Sequence, residues 1–283
     1  MTGTVPSSPS LSARPVVVKL GGEVVGGPLL RLVAGEIAKL AAHVAPVVVV
    51  HGGGPQATRL QERLGQKPVQ IAGRRVTDEE TLDVMKMVVA GKLNVDLCAA
   101  LLAVGAAPVG LHGASGRVVE ASKRPPRVYA GAGSEPVDLG LVGDVTGIGA
   151  PLLNLLLQRG YTPVLACLGA GEDGQVYNIN ADTVANRVAA ELKSPSLFLV
   201  SDVPGVLRDP ADPASRIPRL TVAEGRALIT SGAVTKGMIV KLVESFEALS
   251  QGVARIHIVG SLSEGDLVRE ASSPGSVGTA LVP

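Results

Sequence analysis

The sequence contains no tryptophan and few other aromatic residues, with two phenylalanines and three tyrosines among 283 residues. Its apolar content therefore comes almost entirely from valine, leucine, isoleucine and alanine, which suit parallel strands that are buried on both faces. Cysteine is also scarce. Cys98 and Cys167 both lie in apolar stretches, which indicates buried thiols in a reducing compartment rather than a disulfide.

A charge excess of either sign is missing too, because 26 basic residues oppose 25 acidic ones. This balance favours neither nucleic acid nor an anionic membrane as a partner. Residues 1–14 are rich in serine and proline and lack the apolar core of a secretion signal, so we expect a disordered tail. The longest apolar stretch, Leu97 to Leu111, is too short to span a bilayer and contains Gly105 and Pro108. We therefore expect a soluble, cytoplasmic protein.

Strand-like and helix-like segments alternate along the rest of the chain. Valine-rich runs at Pro15 to Leu20 and Pro46 to Val50 are typical of buried strands, and Leu29 to His43 carries apolar residues on one helical face. Thr77 and Glu80 form a capping box that predicts a long helix to about Val104, with Thr77 as its N-cap. The alternation predicts an α/β fold, a three-layer αβα sandwich around a mainly parallel central sheet, built as one large unit or two lobes.

Two glycine-rich segments follow predicted strands, Lys19-Leu-Gly-Gly22 and His51-Gly-Gly-Gly-Pro55. Ligands of open α/β sheets bind beyond the carboxyl ends of the strands, and consecutive glycines before a helix leave amide groups free to hold an anion. Each segment alone is equally well explained by a tight turn, and Lys19 by a strand-end lysine that reaches solvent. Their occurrence together, about 30 residues apart as successive βα units require, favours a phosphate site.

Three further clusters carry polar groups at strand or helix ends. In Asn178-Ile-Asn-Ala-Asp182 the alternation places Asn178 and Asn180 on one face, although Asp182 alone is a common N-cap. Leu199 to Val206 reads as a strand that runs into a turn, and Thr235 to Lys241 as a helix start that a flat base could approach. In Gly73-Arg-Arg-Val-Thr-Asp78 an arginine could bind a carboxylate with two hydrogen bonds, or only occupy a turn.

Two common nucleotide motifs are excluded. Gly91-Lys92 is followed by leucine, so it lacks the hydroxyl residue of a P-loop. Gly169 to Gly174 matches the spacing of a dinucleotide fingerprint, but Gln175 to Ile179 predicts extended chain where that motif needs a helix. We expect a β-turn there.

Together these segments resemble the amino-acid kinase family from about Val16 to Thr279. The motifs that carry the resemblance are Val18-Lys-Leu-Gly-Gly22, His51-Gly-Gly-Gly-Pro55, Gly73-Arg-Arg-Val-Thr-Asp78, Leu141-Val-Gly-Asp-Val-Thr146, Asn178-Ile-Asn-Ala-Asp182, Ser201-Asp-Val-Pro-Gly-Val206 and Gly237-Met-Ile-Val-Lys241. The resemblance implies transfer of the γ-phosphate of ATP to the γ-carboxylate of N-acetyl-L-glutamate in arginine biosynthesis. The Arg-Val-Thr-Asp segment before the long helix is the part that points to N-acetylglutamate.

The resemblance also implies roles for individual positions. Catalysis would fall to Lys19, Asp182 and Lys241. Binding of the acyl amino acid would fall to Gly53, Gly54, Arg75, Asn178 and Asn180. Binding of ATP would involve Lys19, Gly21, Gly22, Ser201, Asp202, Gly205, Val206, Leu207, Gly237, Met238 and Lys241. Residues 15–178 would form an N-terminal lobe for the acyl amino acid and for dimerisation, and residues 179–283 a C-terminal lobe for ATP.

The implied chemistry needs neither a general base nor a metal site made by the protein. A carboxylate is already a nucleophile at neutral pH, so the difficulty is to bring two anions together in line. Mg²⁺ would be held mainly by the phosphates of ATP and by water, and we expect no protein ligand for it. The absence of a histidine or cysteine signature fits this chemistry, and His51 is expected to shape its glycine turn.

Two departures from the family concern a loop and the assembly. Leu111 to Gly116 differs from the Gly-Leu-Ser-Gly-Lys-Asp type of segment that is common in the family. Arginine-inhibited members carry an N-terminal helix that joins dimers into hexamers, but residues 1–14 are a poor helix. We expect a homodimer joined through the long helix after Thr77, by Leu82, Met85, Val88, Val89, Leu93 and Leu97. The sequence assigns no arginine response and no PII-type regulatory partner.

Three alternative functions remain open from the sequence. A related kinase could act on an acylated aminoadipate or on glutamate, because one methylene changes binding by only about 1–3 kcal/mol. A non-catalytic sensor could keep the fold and bind nucleotide or amino acid, although the presence of both lysines and Asp182 disfavours it. A nicotinamide dehydrogenase rests only on Gly169 to Gly174.

Overall fold

The computed structural model describes residues 13–129, 133–209, 211–234 and 236–283. The strands are β1 Val16–Leu20, β2 Val47–His51, β3 Gln70–Ile71, β4 Arg74–Arg75, β5 Pro108–Leu111, β6 Val119–Lys123, β7 Gly143–Ile148, β8 Thr162–Ala166, β9 Leu168–Ala170, β10 Val176–Asn178, β11 Leu197–Ser201, β12 Arg219–Thr221, β13 Ile256–Gly260 and β14 Thr279–Val282.

The α-helices are α1 Gly22–Val25, α2 Leu30–His43, α3 Gly54–Arg63, α4 Glu79–Met85, α5 Asn94–Ala103, α6 Ala150–Gln158, α7 Ala181–Glu191, α8 Val222–Thr230, α9 Lys236–Ser250 and α10 Asp266–Ser272. Lys86–Leu93 is π-helical and joins α4 to α5, so a helix runs without a break from Glu79 to Ala103. Pro213–Ser215 is a short 3₁₀ turn.

Eight strands form the central sheet in the order β12-β14-β13-β11-β1-β2-β8-β5. The sheet is mainly parallel, and β14 pairs antiparallel with β13. In β1, β2, β8 and β13 all five residues are buried, and because successive side chains point to opposite faces, both faces are covered. One group of helices contains α2, α5 and α10, and another contains α7 and α9, with α7 against β1, β2 and β11. The predicted three-layer sandwich is confirmed.

The order of the strands fixes where a ligand can bind. The chain leaves β1 for its neighbour β2 and later enters β11 on the other side of β1. In open α/β sheets the crevice at such a reversal, beyond the carboxyl ends of the strands, is the usual ligand site. Lys19 lies at that end of β1.

A four-stranded sheet, β10-β9-β6-β7, and the hairpin β3–β4 stand beside this end of the central sheet. The β9–β10 hairpin contains Gly169 to Gly174, and Gly171 accepts from Gly174 within its turn. No helix follows this turn before β10, so the prediction of a β-turn is confirmed. The β3–β4 hairpin turns at Ala72 and Gly73, whose positive φ angles of 47° and 74° are those of a two-residue hairpin loop.

Two expectations about the long helix are wrong. Its N-cap is Asp78, which accepts from the amide of Thr81, whereas Thr77 is buried ahead of the helix. The six apolar residues expected at a dimer contact (Leu82, Met85, Val88, Val89, Leu93 and Leu97) are each at most 5% exposed within the single chain. They form part of its core, because one side of the helix packs on α2, α3, β5 and β8.

The predicted tail at residues 1–14 lies outside the described residues except for Ala13 and Arg14. Across the described ranges, none of the helices combines the length and the apolar character that crossing a bilayer requires. Cys98 and Cys167 are both free thiols, as expected. Burial raises the pKa of Cys167 to about 11.

A buried carboxylate, Glu270, holds the C-terminal part of the fold together. Its Oε1 accepts from Nδ1 of His257 at 2.8 Å and from the amide of Gly275, and its Oε2 accepts from the amides of Val277 and Gly278. The imidazole of His257 stacks on Phe198 in the neighbouring strand. Burial alone would raise the pKa of Glu270, but these hydrogen bonds outweigh it and lower the pKa to about 2.

This depressed pKa predicts a defined loss of stability in acid. The charged Glu270 contributes to the free energy of unfolding above the ordinary glutamate pKa of 4.5, and that contribution disappears as the pH falls from there to about 2. Urea unfolding of Glu270→Gln should show a lower stability at pH 7, by about 2–4 kcal/mol, and a shallower decline below pH 5. The exposed Glu62→Gln should follow the wild type, and an unchanged acid decline in Glu270→Gln would contradict the assignment.

Candidate active site

The two glycine turns touch each other at the carboxyl ends of β1 and β2. A Cβ atom on Gly22 would lie 3.2 Å from Cα of Gly53 and 3.0 Å from Cδ of Pro55. The side chain of Gln56 joins the turns by donating to the carbonyl oxygen of Gly22 at 2.7 Å. Glycine is therefore required at position 22 by close approach rather than by an unusual backbone angle.

The long helix presses on the second turn from the opposite side. A Cβ atom on Gly53 would lie 2.5 Å from Cδ1 of Leu93 and 2.9 Å from Cγ2 of Val89. Both residues belong to the π-helical segment, a type of irregularity that often occurs beside functional sites. Gly53 is the N-cap of α3, so the helix start and its free amide groups face the same space as Gly22.

His51 fixes the backbone just before this turn, as the sequence predicted. Its Nδ1 donates to the carbonyl oxygen of Gly52 at 3.0 Å, and its Nε2 accepts from Nδ2 of Asn94. The same amide group of Asn94 donates to the carbonyl oxygen of Val164 in β8. Burial lowers the pKa of His51 to about 4, so the imidazole is neutral at pH 7 and acts as a structural link.

An ion pair lies beneath the glycine turns. Nζ of Lys19 is 2.8 Å from Oδ1 of Asp182, and both side chains are largely buried. Asp182 lies in the first turn of α7. Burial opposes the charge of Asp182, yet the ammonium groups of Lys19 and Lys241 hold its pKa below the ordinary value. Burial lowers the pKa of Lys241, and the attraction of Asp182 offsets part of that effect.

A cleft of about 770 Å³ opens above this pair. The residues that the sequence predicted and that the structure brings together around it are Lys19, Gly22, Gly53, Gly54, Arg75, Asn178 and Asn180. Asp182 lies below the cleft and reaches it through Lys19. The cleft therefore joins the predicted phosphate turns to the predicted carboxylate-binding residues.

Arg75 is held in the cleft wall by neutral partners. Its guanidinium donates to the carbonyl oxygen of Gly54 at 2.9 Å, to Oγ1 of Thr58 at 2.6 Å and to Oε1 of Gln61. No carboxylate of the described residues forms an ion pair with it. Burial lowers the pKa of Arg75. A half-buried cation of this kind, oriented by three acceptors, is suited to bind an anionic ligand.

The two asparagines have different local roles. Asn180 is the N-cap of α7, where its Oδ1 accepts from the amide of Asp182 at 2.8 Å. Asn178 donates through Nδ2 to Oγ1 of Thr77 at 3.1 Å. Thr77 also bridges to Gly140 in the segment before β7. The sequence prediction of Thr77 as a helix cap therefore missed its contact with Asn178, which lies 101 residues away along the chain.

The other residues predicted to bind ATP do not line the cleft. Ser201 and Asp202 lie at the end of β11, Gly21 donates to the carbonyl oxygen of Val200, and Leu207 bridges to Arg216. Val206 is fully buried and donates to Oγ1 of Thr279, and Gly205 approaches the same hydroxyl group closely. Both positions are buried in this structure, so the expectation that they contact ATP is not met there. Gly237, Met238 and Lys241 lie in the first turns of α9, which packs on α7.

Several cleft residues escaped the sequence analysis because they look like ordinary surface charges. Asp144 and Tyr129 line the cleft in addition to the predicted residues. Four arginines and two glutamates also line it: Arg74, Arg124, Arg127, Arg187, Glu244 and Glu247. Arg124 and Arg127 both pair with Asp144, the former at 2.7 Å. The guanidinium of Arg74 lies 4.8 Å from the ring centre of Tyr129. Asp144 belongs to the Leu141 to Thr146 motif and Arg74 to the Gly73 to Asp78 motif, which are the signals that the sequence offers for these two residues.

Among the described residues, no three histidine, cysteine or acidic side chains gather in a way that could hold a metal ion. What the cleft offers is positive charge and free amide groups, at the switch point of a mainly parallel sheet. A fold and site of this kind define a protein that binds anionic ligands and can transfer a phosphoryl group between them.

The comparisons with known proteins agree with this class. The chain belongs to the amino acid kinase family, whose pattern it matches over residues 14–260. An acetylglutamate kinase of Sorangium cellulosum is 73% identical over 95% of each chain. An acetylglutamate kinase of Anaeromyxobacter dehalogenans is 59% identical over 94% of this chain and 98% of its own.

A solved structure shows the same fold at low identity. The N-acetylglutamate synthase of Neisseria gonorrhoeae, in complex with coenzyme A and N-acetylglutamate, superposes with a TM-score of 0.80 at 23% identity. The match covers 95% of this chain and 59% of that protein. It therefore supports the fold alone.

The crowding at Gly53 gives a stability prediction with a matched control. Gly53→Ala should lower the free energy of unfolding by about 1–3 kcal/mol, because its methyl group would overlap the packed side chains of Leu93 and Val89. Gly54→Ala adds the same methyl group where no atom lies within 4 Å and should unfold at nearly the wild-type urea concentration. Equal midpoints for the two variants would show that the long helix does not press on this turn.

Proposed function

We propose that this protein transfers the γ-phosphate of ATP to the γ-carboxylate of N-acetyl-L-glutamate and so forms N-acetylglutamyl phosphate in arginine biosynthesis. Two relatives that match nearly the whole chain carry the name acetylglutamate kinase. The structural observation that carries the proposal is Arg75, a cation without a carboxylate partner in the described structure, in the same cleft as Lys19. A dicarboxylate can contact Arg75 with one carboxylate and direct the other towards the glycine turns.

The reaction is an in-line displacement at phosphorus. An oxygen of the γ-carboxylate forms a bond to the γ-phosphorus while the bond from phosphorus to the bridging oxygen breaks, and the electron pair of that bond leaves with ADP. No proton has to be removed, because the attacking carboxylate is already ionised at neutral pH. The cost lies in the approach of two anions, so the enzyme must supply position and positive charge.

We assign the positive charge to Lys19, Lys241 and the backbone amides of the glycine turns. Gly22 would donate to phosphate, and Gly53 and Gly54 would donate to the group in transfer. The amide of Gly21 is not free for this task, because it donates to the carbonyl oxygen of Val200. The two turns are in contact, so donors from both would reach one oxygen-rich group. Asp182 would keep both lysines in place, since it pairs with Lys19 and is stabilised by the charge of Lys241. Preorganised donors of this kind contribute about 10²–10³ each to the rate.

The acyl amino acid would be held by Arg75, Asn178 and Asn180. Arg75 is oriented by Gly54, Thr58 and Gln61, so its position does not depend on the ligand. Asn178 uses its amide group on Thr77 and keeps its carbonyl oxygen for a donor such as the acetamide N–H. Asn180 is exposed at the start of α7, where the free amide groups favour an anion.

The nucleotide would lie on the β11 side of Lys19, against Ser201, Asp202, Leu207, Gly237 and Met238. The buried Oγ of Ser201 has no hydrogen-bond partner among the described residues, which suits a position that a ligand completes. Mg²⁺ would be coordinated mainly by the phosphates of ATP and by water, where it neutralises part of their charge. We assign it no ligand from the protein.

This arrangement leads us to divide the work at residue 178. Residues 15–178 would bind the acyl amino acid and carry the dimer contact, and residues 179–283 would bind ATP. The cleft supports this division, because most of its lining comes from the first part while Asn180 to Arg187 and two residues of α9 close it. We place the enzyme in the cytoplasm, where its two free cysteines would stay reduced.

The alternative functions are less well supported. A kinase for an acylated aminoadipate would fit the same cation and amides, but the relatives that match most of the chain are named for acetylglutamate. A sensor without activity would not need the pair of Lys19 and Asp182 to remain intact. A nicotinamide dehydrogenase would need a helix after Gly174 to bind the pyrophosphate of its cofactor, but the described chain continues there into the β9–β10 hairpin.

Turnover of two acids tests the proposal directly. With ATP and Mg²⁺, ADP release should be fast with N-acetylglutamate and at least about tenfold slower, as kcat/KM, with N-acetylaminoadipate. Lys19→Ala should lower kcat by about 10²–10³, whereas Lys67→Ala, at an exposed position, should leave it unchanged. Silence of the wild type on both acids would refute the proposed reaction, and full activity of Lys19→Ala would refute the role of the lysine.

We also propose a homodimer, through a different face of the long helix from the one first expected. Met87, Val95 and Leu102 are 53%, 63% and 67% exposed, and their spacing of about two turns places them on one side of the helix. They stand beside an apolar groove between α1–α3 and the long helix, which contains Leu60 and Val104. Exposed apolar area of this kind commonly marks a contact between subunits.

Sedimentation velocity at micromolar concentration should therefore show a dimer for the wild type. Leu102→Glu places a charge on the exposed face and should shift the protein to monomer. Leu155→Glu, on the 52% exposed Leu155 of α6, should remain dimeric. A wild-type monomer or hexamer, or a dimer that Leu102→Glu does not disturb, would contradict this contact.

A further inference from the structure

Glu244 is a carboxyl group inside the cleft to which the proposed reaction assigns no task. It lies on α9, one turn after Lys241, and lines the cleft together with Arg75 and Asn178. Its Oε2 is buried and has no hydrogen-bond partner among the described residues. Its own backbone carbonyl oxygen accepts from Nδ2 of Asn186, which fixes this part of α9 on α7.

Among the described residues, Glu244 forms no ion pair with the cations around it. From β1, Lys19 pairs with Asp182 at 2.8 Å, and from the end of β6, Arg124 pairs with Asp144 at 2.7 Å. From the hairpin β3–β4, Arg74 lies against the ring of Tyr129. Within the described residues, Lys241 comes no closer than 4 Å to the carboxylate of Glu244. None of these cations therefore forms an ion pair with Glu244, and they stabilise its charged form only from a distance.

The other charged groups around Glu244 lie on α7 and α9. Asp182 of α7 is the strongest charged neighbour and repels a second negative charge. Arg187 of α7 and Glu247 of α9 also line the cleft. Burial, followed by the charge of Asp182, raises the pKa of Glu244 to about 7, although Arg74, Lys19 and Arg124 offset part of the effect. About half of the free protein is therefore protonated here at pH 7.

We propose that Glu244 is the group through which the active site takes up a proton when the acyl amino acid binds. The ligand brings two carboxylates into the cleft, and their charge favours the neutral form of the adjacent glutamic acid. In that form its O–H donates a hydrogen bond to a ligand oxygen, which supplies the partner that Oε2 lacks in the free protein. Above neutral pH the ionised carboxylate repels the same ligand.

This inference rests on the proposed function, because it takes N-acetylglutamate as the ligand. That acid is also the suitable probe, since its two carboxylates titrate below pH 5 and stay ionised from pH 6 to 8. ATP is unsuitable here, because a terminal phosphate itself takes up protons near pH 6. His51 is neutral at these pH values with a pKa of about 4, and His112 and His43 do not line the cleft.

Isothermal titration calorimetry in buffers of different ionisation enthalpy measures the proton uptake. For the wild type at pH 7 we expect uptake of about half a proton per bound N-acetylglutamate, and a Kd that rises about tenfold between pH 6 and pH 8. Glu244→Gln has the same shape but cannot titrate, so it should take up no proton and its Kd should stay within about twofold over that range. Glu247→Gln, one turn further along α9, should keep the wild-type uptake.

Proton uptake by the wild type and by the Glu244 variants decides whether the inference holds. Equal proton uptake by the wild type and Glu244→Gln, or no uptake by the wild type, would overturn the inference. Glu244→Ala, which has no polar side chain at this position, should likewise take up no proton. The dependence of the wild-type Kd on pH tests the inference without any variant. The turnover assay separates the inference about Glu244 from the proposed function. Turnover of N-acetylglutamate together with unaltered proton uptake in Glu244→Gln rejects the role of Glu244 alone. Absence of both turnover and binding rejects the proposed function and this inference with it.

Discussion

The structure depends on a buried ammonium group at the end of the central strand. Lys19 is 8% exposed between neighbouring strands of valine and leucine, where an unpaired charge would be very costly. Asp182 compensates it, and Asp182 can do so only because α7 lies across β1, β2 and β11. The position of α7 in turn brings Asn180 and Asn178 to the same edge. One requirement, a partner for one lysine, therefore fixes the helix, the loop before it and the floor of the cleft.

Features that a short stretch of chain determines were predictable from the sequence. The run of buried valines forms a strand, and the two glycine segments form turns that touch each other. The polar residues at every second position lead into the start of α7. Each of these patterns acts within a few residues. The charged wall of the cleft was not predictable in this way. Arg124 and Glu244 look like solvated surface residues in sequence, and only the small sheet and α9 bring them to one cavity. Thr77 was misread for the same reason, because its partner Asn178 comes from a distant part of the chain.

The long helix shows how a local pattern can give the right element and the wrong contact. Apolar residues over more than one face predict a surface for a second subunit, but the protomer itself covers Leu82 to Leu97 with α2, α3 and the edge of the sheet. The π-helical segment changes which side chains face inwards, and it brings Val89 and Leu93 onto Gly53. The large apolar residues of this helix that remain exposed are Met87, Val95 and Leu102. Core packing thus uses one side of this helix, and the side that we propose for a subunit contact is a different one.

The cleft concentrates charge that the whole chain lacks. The protein has a net charge of +1, yet six cationic side chains line this one cavity against three acidic ones: Lys19, Arg74, Arg75, Arg124, Arg127 and Arg187 against Asp144, Glu244 and Glu247. Such an excess suits two anions that must meet, because each would otherwise repel the other. The same excess must not bind the product so tightly that release becomes slow. When an anion arrives, protonation of Glu244 raises the excess of positive charge in the cleft. When the anion leaves, ionisation of Glu244 lowers that excess again. Fixed charges alone cannot adjust in this way.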